Sequence, residues 1–315
     1  MTFKFSEIMK YRLFISLLGI LWLTSCSKDV EESHADEVGH VVISANDFKN
    51  EFGSRTNLNI ISEGTVFSWA EKDTVGIFPN DGAQVYFPME EGAGTKTASF
   101  TGGGWALKNG FTYAAYYPFI GNYYLDKEKL PVDYIGQQQK GVASTAHLGF
   151  YDYMAAQPTS PSQGYVNFLF DHLGCLVQLR LTVPVAATFS SLSLNCDQSI
   201  FTTKAELGFI ANNYTFTATE HAKHLDLSLS EVSSTEMGQE LTFYMMLAPM
   251  DMIERNVYVT LVSEEGKMYK GKIVSKTLQA GYSYDFPVVL EETTDENLSA
   301  EDIKAPGMGE TDIEI

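Results

Sequence analysis

Short stretches of alternating apolar and polar residues follow one another along most of the chain. They are rich in β-branched and aromatic residues and are bounded by Gly, Pro, Asn or Asp, which is typical of strands joined by tight turns. In LDLSLS, Leu225, Leu227 and Leu229 alternate strictly and must share one face. In VSEEGKMYKGKI, Glu265-Gly266 predicts the turn of a hairpin. The pattern predicts an all-β fold built of β-sandwiches.

Two places in this pattern lead to more specific expectations. The stretch EKLPVDYIGQQQKGVAST, residues 128–145, alternates least, and we expect a loop with a short helix there. Tyr116 and Tyr117 are adjacent in a strand-like stretch, so their side chains must lie on opposite faces of a sheet. We therefore expect at most one of these two tyrosines in a core.

The length of 315 residues fits two such domains. Proline and serine concentrate in AAQPTSPSQGY, between residues 155 and 165, which favours a domain boundary there. We predict an N-terminal sandwich at 41–164, a C-terminal sandwich at 165–290, and an acidic C-terminal tail at 291–315.

The N-terminus has a different character. Three basic residues precede LFISLLGILWL, an apolar run too short to span a bilayer and typical of an export signal. The LTSC that ends at Cys26 resembles a bacterial lipobox, in which the cysteine becomes the first mature residue and its sulfur, a good nucleophile as thiolate, carries lipid. We predict a lipoprotein signal peptide at 1–25 and lipidation of Cys26. An ordinary signal peptide with an incidental cysteine is the alternative.

Charge and composition restrict the partners. Residues 26–40 are polar and acidic and predict a disordered tether between the lipid and the folded body. The formal net charge of −19 argues against nucleic acid as a partner, because phosphate binding requires Lys and Arg. An acidic surface also disfavours adsorption to anionic membranes, so membrane contact is expected through a covalent or hydrophobic anchor, here the predicted lipid.

Catalytic and metal-binding patterns are absent from the sequence. It has no GxSxG, no HExxH and no CxxC, and EGAGTKT lacks the spacing of a P-loop. We therefore predict no enzyme, cofactor or metal site. Cys175 and Cys196 lie in apolar, strand-like stretches, where both buried free thiols and a disulfide are compatible with the sequence.

Several short motifs, taken in order, resemble the Mfa-like fimbrillins of the fimbrillin superfamily of Bacteroidota. The motifs are Arg55-Thr56, Trp69 with Asp73, Ala115-Tyr116-Tyr117-Pro118, Phe170 with His172, and Ala280-Gly281-Tyr282. The resemblance implies a lipoprotein precursor with two tandem transthyretin-like β-sandwich domains. It also implies that His172 is a partly buried structural histidine at the start of the second domain.

In polymerising members of that superfamily, a trypsin-like protease cuts after a basic residue early in the first domain. The lipid and the first strand leave together, and a strand of another subunit fills the vacated groove. Here the resemblance implies cleavage between Arg55 and Thr56, His40–Phe48 as the removable strand, and the tail as the donor. The alternatives are that Arg55 is a plain loop residue and that the tail is solvated.

The resemblance therefore implies a structural or adhesive pilus subunit, exported as an outer-membrane lipoprotein, with other pilus subunits as partners by strand exchange. The alternative is a monomeric surface lipoprotein that binds glycans or a host protein through exposed aromatic residues. Asp73-Thr74-Val75 also resembles a short O-glycosylation motif of Bacteroidota, so Thr74 is a candidate glycosylation site, with a purely structural threonine as the alternative.

Overall fold

A computed structural model describes residues 37–38, 40–50, 67–79, 82–102, 107–121, 124–162 and 166–293. The predicted signal peptide, Cys26, Arg55, Thr56 and the tail beyond residue 293 lie outside these ranges. Within them the chain is nearly all β-strand, and the predicted all-β class with β-sandwich architecture is confirmed. The described part contains no helix long and apolar enough to cross a membrane.

The strands are short, as their alternating sequences predict. The first twelve are β1 (Glu37–Val38), β2 (His40–Ala45), β3 (Lys49–Asn50), β4 (Thr74–Pro79), β5 (Val85–Glu91), β6 (Thr97–Thr101), β7 (Leu107–Lys108), β8 (Tyr113–Tyr117), β9 (Leu130–Asp133), β10 (Gln137–Lys140), β11 (Met154–Thr159) and β12 (Asn167–His172). The others are β13 (Cys175–Thr182), β14 (Thr188–Cys196), β15 (Phe201–Ile210), β16 (Asn213–Ala222), β17 (His224–Ser233), β18 (Glu240–Leu247), β19 (Met250–Asp251), β20 (Val257–Ser263), β21 (Met268–Lys272), β22 (Thr277–Leu278), β23 (Tyr282–Val289) and β24 (Glu291–Thr293).

The N-terminal half closes its sandwich into a barrel. Its strands follow the order β11-β12-β2-β6-β5-β4-β8, and β8 pairs again with β11. The inward side chains form one core around Trp69, which makes edge-to-face contacts with Phe67, Phe100 and Tyr117. Among the residues that the structure describes, closure leaves the barrel itself without an open edge, which protects its backbone groups from non-specific pairing.

The C-terminal half is a sandwich of two sheets. One sheet has the order β10-β17-β14-β20-β21-β24 and the other has the order β18-β13-β23-β3. Their facing side chains form a second core, in which Leu225, Leu227 and Leu229 lie on the same inward face, as predicted. The predicted hairpin turn is confirmed as well, because β20 and β21 pair on either side of Gly266, whose φ is +81°.

Both remaining cysteines are free and buried in this core. Burial raises the pKa of the Cys175 thiol, whose Sγ donates to the carbonyl oxygen of Leu247 at 3.5 Å. Of the two possibilities that the sequence left open, the structure therefore has the free thiols.

A third core lies between the barrel and the sandwich, and it corrects the expectation for the adjacent tyrosines. Tyr117 points into the barrel and is 7% exposed, while Tyr116 points outward and is still only 1% exposed. Tyr116 is buried because its ring stacks on Phe78, with centroids 5.9 Å apart, and lies over Gly76, while its hydroxyl donates to Gln84 Oε1 at 2.5 Å. It belongs to a cluster that also includes buried residues of β9, β15 and β18. Both tyrosines are core residues, each of a different core.

Residues 128–145 also differ from expectation, since they form β9 and β10 rather than a loop with a short helix. β9 pairs with β15, and β10 runs parallel to β17 at the edge of the six-stranded sheet. The 3-10 turn of this region comes later, at Leu148–Phe150. The prediction missed β10 because this strand has the sequence QQQK, which contains no apolar residue.

Two buried glutamine side chains of β10 bind the edge of the opposite sheet as a backbone would. Gln137 accepts from the Met246 amide (2.9 Å) and donates to the Met246 carbonyl (2.7 Å). Gln139 accepts from the Tyr244 amide (2.8 Å) and donates to the Thr242 carbonyl (3.1 Å). β10 thus pairs with β17 through its backbone and covers β18 through its side chains, so this side of the sandwich is closed.

We expect Gln137→Leu to lower the free energy of unfolding by about 1 to 3 kcal/mol, because it leaves buried backbone groups of Met246 without a partner. Gln138→Leu is the matched control, since Gln138 lies on the exposed face of the same strand. Urea unfolding of both variants measures the effect. Equal free energies of unfolding for Gln137→Leu and Gln138→Leu would contradict the role given to the side-chain amide of Gln137.

The strand pairing crosses the predicted division between residues 164 and 165. β12 completes the barrel, although the resemblance placed its Phe170 and His172 at the start of the second domain. β9, β10 and the short β3 pair with strands of the C-terminal half. β1, at the end of the predicted tether, pairs with β7. The barrel and the sandwich therefore exchange segments rather than meeting at one linker.

Candidate functional site

β2 is the strand on which the expected strand exchange depends. It runs parallel to β12 and antiparallel to β6, and the other barrel pairs in the described residues are antiparallel. Neither of its neighbours along the chain, β1 or β3, lies in the barrel. β2 is thus inserted between two strands that are distant in sequence, and no hairpin ties it to either.

The side chains of β2 plug the barrel core. Val41 and Ile43 are 0% exposed and Ala45 is 5% exposed, while the intervening residues face outward. In register, Val41 lies opposite Phe100 of β6, and Ile43 lies opposite Phe168 of β12. Removing β2 would leave an apolar groove with an unpaired backbone edge on each side.

A buried ion pair holds the chain directly after β2. His172, at the end of β12, donates through Nδ1 to Asp152 Oδ1 (2.7 Å) and through Nε2 to the carbonyl oxygen of Asn46 (2.7 Å). The side chains of His172 and Asp152 are 1% and 2% exposed. Phe48 stacks on the imidazole with ring centroids 3.8 Å apart. We call His172, Asp152, Asn46 and Phe48 the clasp.

The geometry of the clasp sets the protonation of its histidine. Both ring nitrogens face acceptors, which favours the doubly protonated imidazolium. Burial by itself lowers the pKa of His172, but the charge of Asp152 and the hydrogen bonds to Asp152 and Asn46 raise it above the ordinary value. The predicted structural histidine is therefore found, and it holds the chain where it leaves the first strand.

Further contacts extend the clasp toward the C-terminal half. Asn46 Nδ2 donates to Asp171 Oδ1 (2.7 Å), and Asp47 pairs with Lys96 of the barrel. The Lys49 amide then donates to the Gly281 carbonyl (2.7 Å) where β3 pairs with β23. The segment 40–50 is thus held by the barrel, by the clasp and by the C-terminal half in turn.

We expect the clasp to weaken as pH rises. A histidine whose folded pKa is raised stabilises the fold fully below its unfolded pKa of about 6.5, and this contribution is lost as pH rises through the higher folded pKa. The free energy of unfolding of the wild type should therefore fall toward that of His172→Gln between mildly acidic and alkaline pH. His224→Gln, at a half-buried position outside the clasp, is the control. A wild-type advantage over His172→Gln that does not change with pH would contradict a charged His172.

The predicted site residues are placed as follows. Cys26, Arg55 and Thr56 lie outside the described residues; Arg55 and Thr56 fall between the end of β3 and Phe67. Thr74 begins β4, is half-buried, and donates to the carbonyl oxygen of Lys72 at 3.3 Å. Its glycosylation stays a prediction.

Sequence reasoning missed Asp152 and Asn46. Asp152 is one of 40 acidic residues, and nothing in its sequence neighbourhood separates it from the exposed ones. Asn46 acts in the clasp through its carbonyl oxygen, which carries no sequence signal. Only the alternation of β2 and the spacing of Phe170 and His172 pointed to this place.

Comparison with known proteins identifies a family and structures of similar fold. A family model described as fimbrillin-like matches residues 54–301. A structure of a candidate cell adhesion protein from Bacteroides ovatus superposes with a TM-score of 0.54 at 17% identity, covering 80% of this chain and 94% of that one. A candidate cell adhesion protein from Bacteroides uniformis gives a TM-score of 0.50 at 17% identity, covering 81% and 96%. No curated protein sequence matches the chain.

Proposed function

The chain belongs to the fimbrillin-like family, and from that premise we propose that it is a structural or adhesive subunit of a cell-surface pilus. It is exported as an outer-membrane lipoprotein, and it assembles with other pilus subunits by β-strand donation. The observation that carries the proposal is β2, a strand inserted without a hairpin between β6 and β12.

Loss of β2 would create the acceptor. The edges of β6 and β12 would each present unpaired N–H and C=O groups, and the positions of Val41 and Ile43 would become apolar pockets. An extended strand from a neighbour fits such a groove, because its backbone supplies the hydrogen bonds and its alternate side chains fill the pockets. The same alternation that plugs the barrel within one subunit would then join two subunits.

Cleavage after Arg55 is the step that frees the groove. It separates β2 and β3 from the remaining chain and makes Thr56 the new N-terminus. The lipid on Cys26 leaves with the same fragment, so the anchor serves export and is given up on assembly. Until then, acyl chains on Cys26 hold the protein at the outer membrane. Stable anchoring requires more than one acyl chain.

The tail supplies the donor strand in this proposal. Thr311-Asp312-Ile313-Glu314-Ile315 alternates, so Ile313 and Ile315 share one face as Val41 and Ile43 do in β2. The described chain ends with β24, paired with β21 at the edge of the sandwich, from which the tail continues. In this proposal the tail of one subunit pairs with the groove of a second subunit.

The test uses residues 26–315 carrying Cys26→Ser, treated with trypsin and analysed without boiling on SDS gels and by electron microscopy. We expect cleavage after Arg55, SDS-resistant ladders and filaments. Arg55→Ala should prevent the ladders, while Lys223→Ala, at an exposed basic residue elsewhere, should not. Deleting residues 294–315, which spares β24, should abolish them. Monomers after complete cleavage at Arg55 would overturn strand donation.

A further inference from the structure

The groove that β2 fills has a fixed order of side-chain positions, and that order has a direction. Val41, Ile43 and Ala45 are buried in the barrel, and Phe48, which stacks on His172, is buried after them. Read along β2, the groove takes two large aliphatic side chains, then a methyl group, and three residues later an aromatic ring. A donor strand must present apolar or small side chains at these positions, in this order or in the reverse order.

No stretch of the tail fits this order when it runs in the direction of β2. The spacing is i, i+2, i+4 and i+7, and every complete frame within residues 294–315 puts a charged residue or a glycine at one of these positions. Frames that run off the end of the chain leave the place of the ring empty. One of them, with Thr311 and Ile313 in the first two places, also puts Ile315 where only the methyl group of Ala45 fits.

The last eight residues fit every position when they run in the opposite direction. The matching pairs are Ile315 with Val41, Ile313 with Ile43, Thr311 with Ala45, and Met308 with Phe48. This is the one complete frame within residues 294–315, in either direction, that has neither a charged residue nor a glycine at the four positions. A methionine suits the last of them, because its side chain is flexible and its sulfur packs well on aromatic rings.

The residues between these positions fit the opposite direction as well. The chain after β2 is not strand, which lets Ala45 and Phe48 both be buried although they are three residues apart. Gly309 and Glu310 fall on this irregular stretch, where glycine is the most permissive residue. The terminal carboxylate falls next to the place of His40, which is exposed, so its charge stays in water.

We propose that the groove of one subunit takes residues 308–315 of a second copy of this chain, running in the direction opposite to β2. This inference rests on the strand donation proposed above and adds the partner, the direction and the register. The inserted strand is antiparallel to β12 and parallel to β6, whereas β2 is parallel to β12 and antiparallel to β6. Its alternate side chains still point inward, because the alternation of a strand does not depend on its direction.

Disulfide cross-linking tests the register. Ser44 and Thr97 lie opposite each other with their hydroxyl oxygens 2.8 Å apart, and the proposed frame puts Asp312 in the place of Ser44. The protein is residues 26–315 with Cys26→Ser, Asp312→Cys and Thr97→Cys, cleaved with trypsin after Arg55 and then oxidised. We expect multimers that survive boiling without reductant and separate into monomers when reductant is added.

Ser99→Cys and Thr101→Cys, each combined with Asp312→Cys, are the matched controls. Ser99 lies opposite Val42, and Thr101 lies opposite His40. The frames that run in the direction of β2 and fill its first positions from the chain end put Asp312 at one of these two places. Since a disulfide requires Cα atoms within about 7 Å, we expect about tenfold more cross-linked multimer from the Thr97 pair than from either control.

A second variant tests the same frame without cysteines. Met308→Asp should abolish the SDS-resistant ladders, because it puts a carboxylate in the place of Phe48, beside Asp152 and Asp171. Leu298→Asp, outside the frame, should leave the ladders as they are. Ladders that survive Met308→Asp would overturn the frame, since the frames along β2 leave Met308 outside the groove.

The outcomes separate this inference from the proposed function. Multimers that cross-link through Ser99 or Thr101 rather than Thr97 would mean donation in the direction of β2. Multimers that cross-link at none of the three would mean a different donor segment or a different subunit as the partner. Either result would overturn the inference and leave strand donation standing. If no variant gives SDS-resistant multimers after complete cleavage, strand donation itself fails, and the inference fails with it.

Discussion

Replacing Ile43 by aspartate is expected to lower the free energy of unfolding by about 4 kcal/mol or more. Ile43 is 0% exposed in the barrel core. The substitution removes a buried aliphatic side chain, worth about 2 to 5 kcal/mol, and places a carboxylate in a core built of apolar and aromatic side chains. Losses of this size are exceptional for a single substitution and indicate a core position.

Val42→Asp is the matched control for this substitution. Val42 is the next residue of the same strand, it is 38% exposed, and it faces outward. Surface substitutions of this kind usually change stability by about 0.5 kcal/mol or less. Urea unfolding of the two variants tests the alternation directly. Similar losses for both would contradict the insertion of β2 in the observed register, because a shift of one residue exchanges the two faces.

Replacing His172 by alanine is expected to cost about 3 to 5 kcal/mol. The variant leaves Asp152 buried without its counter-charge and the carbonyl oxygen of Asn46 without its donor. His224→Ala, at a half-buried histidine outside the clasp, should change stability less. The measurement is again urea unfolding, together with hydrogen exchange of the β2 amides.

A second variant separates charge from packing at the same place. His172→Leu combined with Asp152→Leu removes both charges, so it should be less destabilised than His172→Ala. If the double variant is the less stable of the two, the clasp acts through shape and hydrogen bonds rather than through its ion pair.

The strands that carry apolar alternation could be predicted from the sequence, and β2 and the leucines of β17 are examples. β10 could not, because its inward residues are glutamines whose role depends on the edge of a strand more than 100 residues away. Polar side chains that imitate a backbone partner leave no hydrophobic pattern to detect.

The expectation that only one of the adjacent tyrosines lies in a core was wrong for a different reason. The rule that one face of a strand is buried holds for a sheet with solvent on its other side. Here the outward-facing Tyr116 belongs to a second buried cluster, which includes residues of the C-terminal half, so Tyr116 and Tyr117 are both buried. That packing is tertiary and cannot be deduced from the strand alone.

The candidate site was predictable only in outline. Alternation indicated β2 as a separable strand, and Phe170 with His172 indicated a structural histidine. The partners Asp152 and Asn46 meet His172 through the fold, 20 and 126 residues away along the chain.

The central claim is that the first strand is lost when the subunit joins a fibre. Mass spectrometry of the N-terminal peptides in SDS-resistant multimers sheared from the cell surface tests it most directly. The account predicts subunits that begin at Thr56 and lack residues 40–50. Multimers whose subunits begin at residue 26 and retain β2 would contradict it.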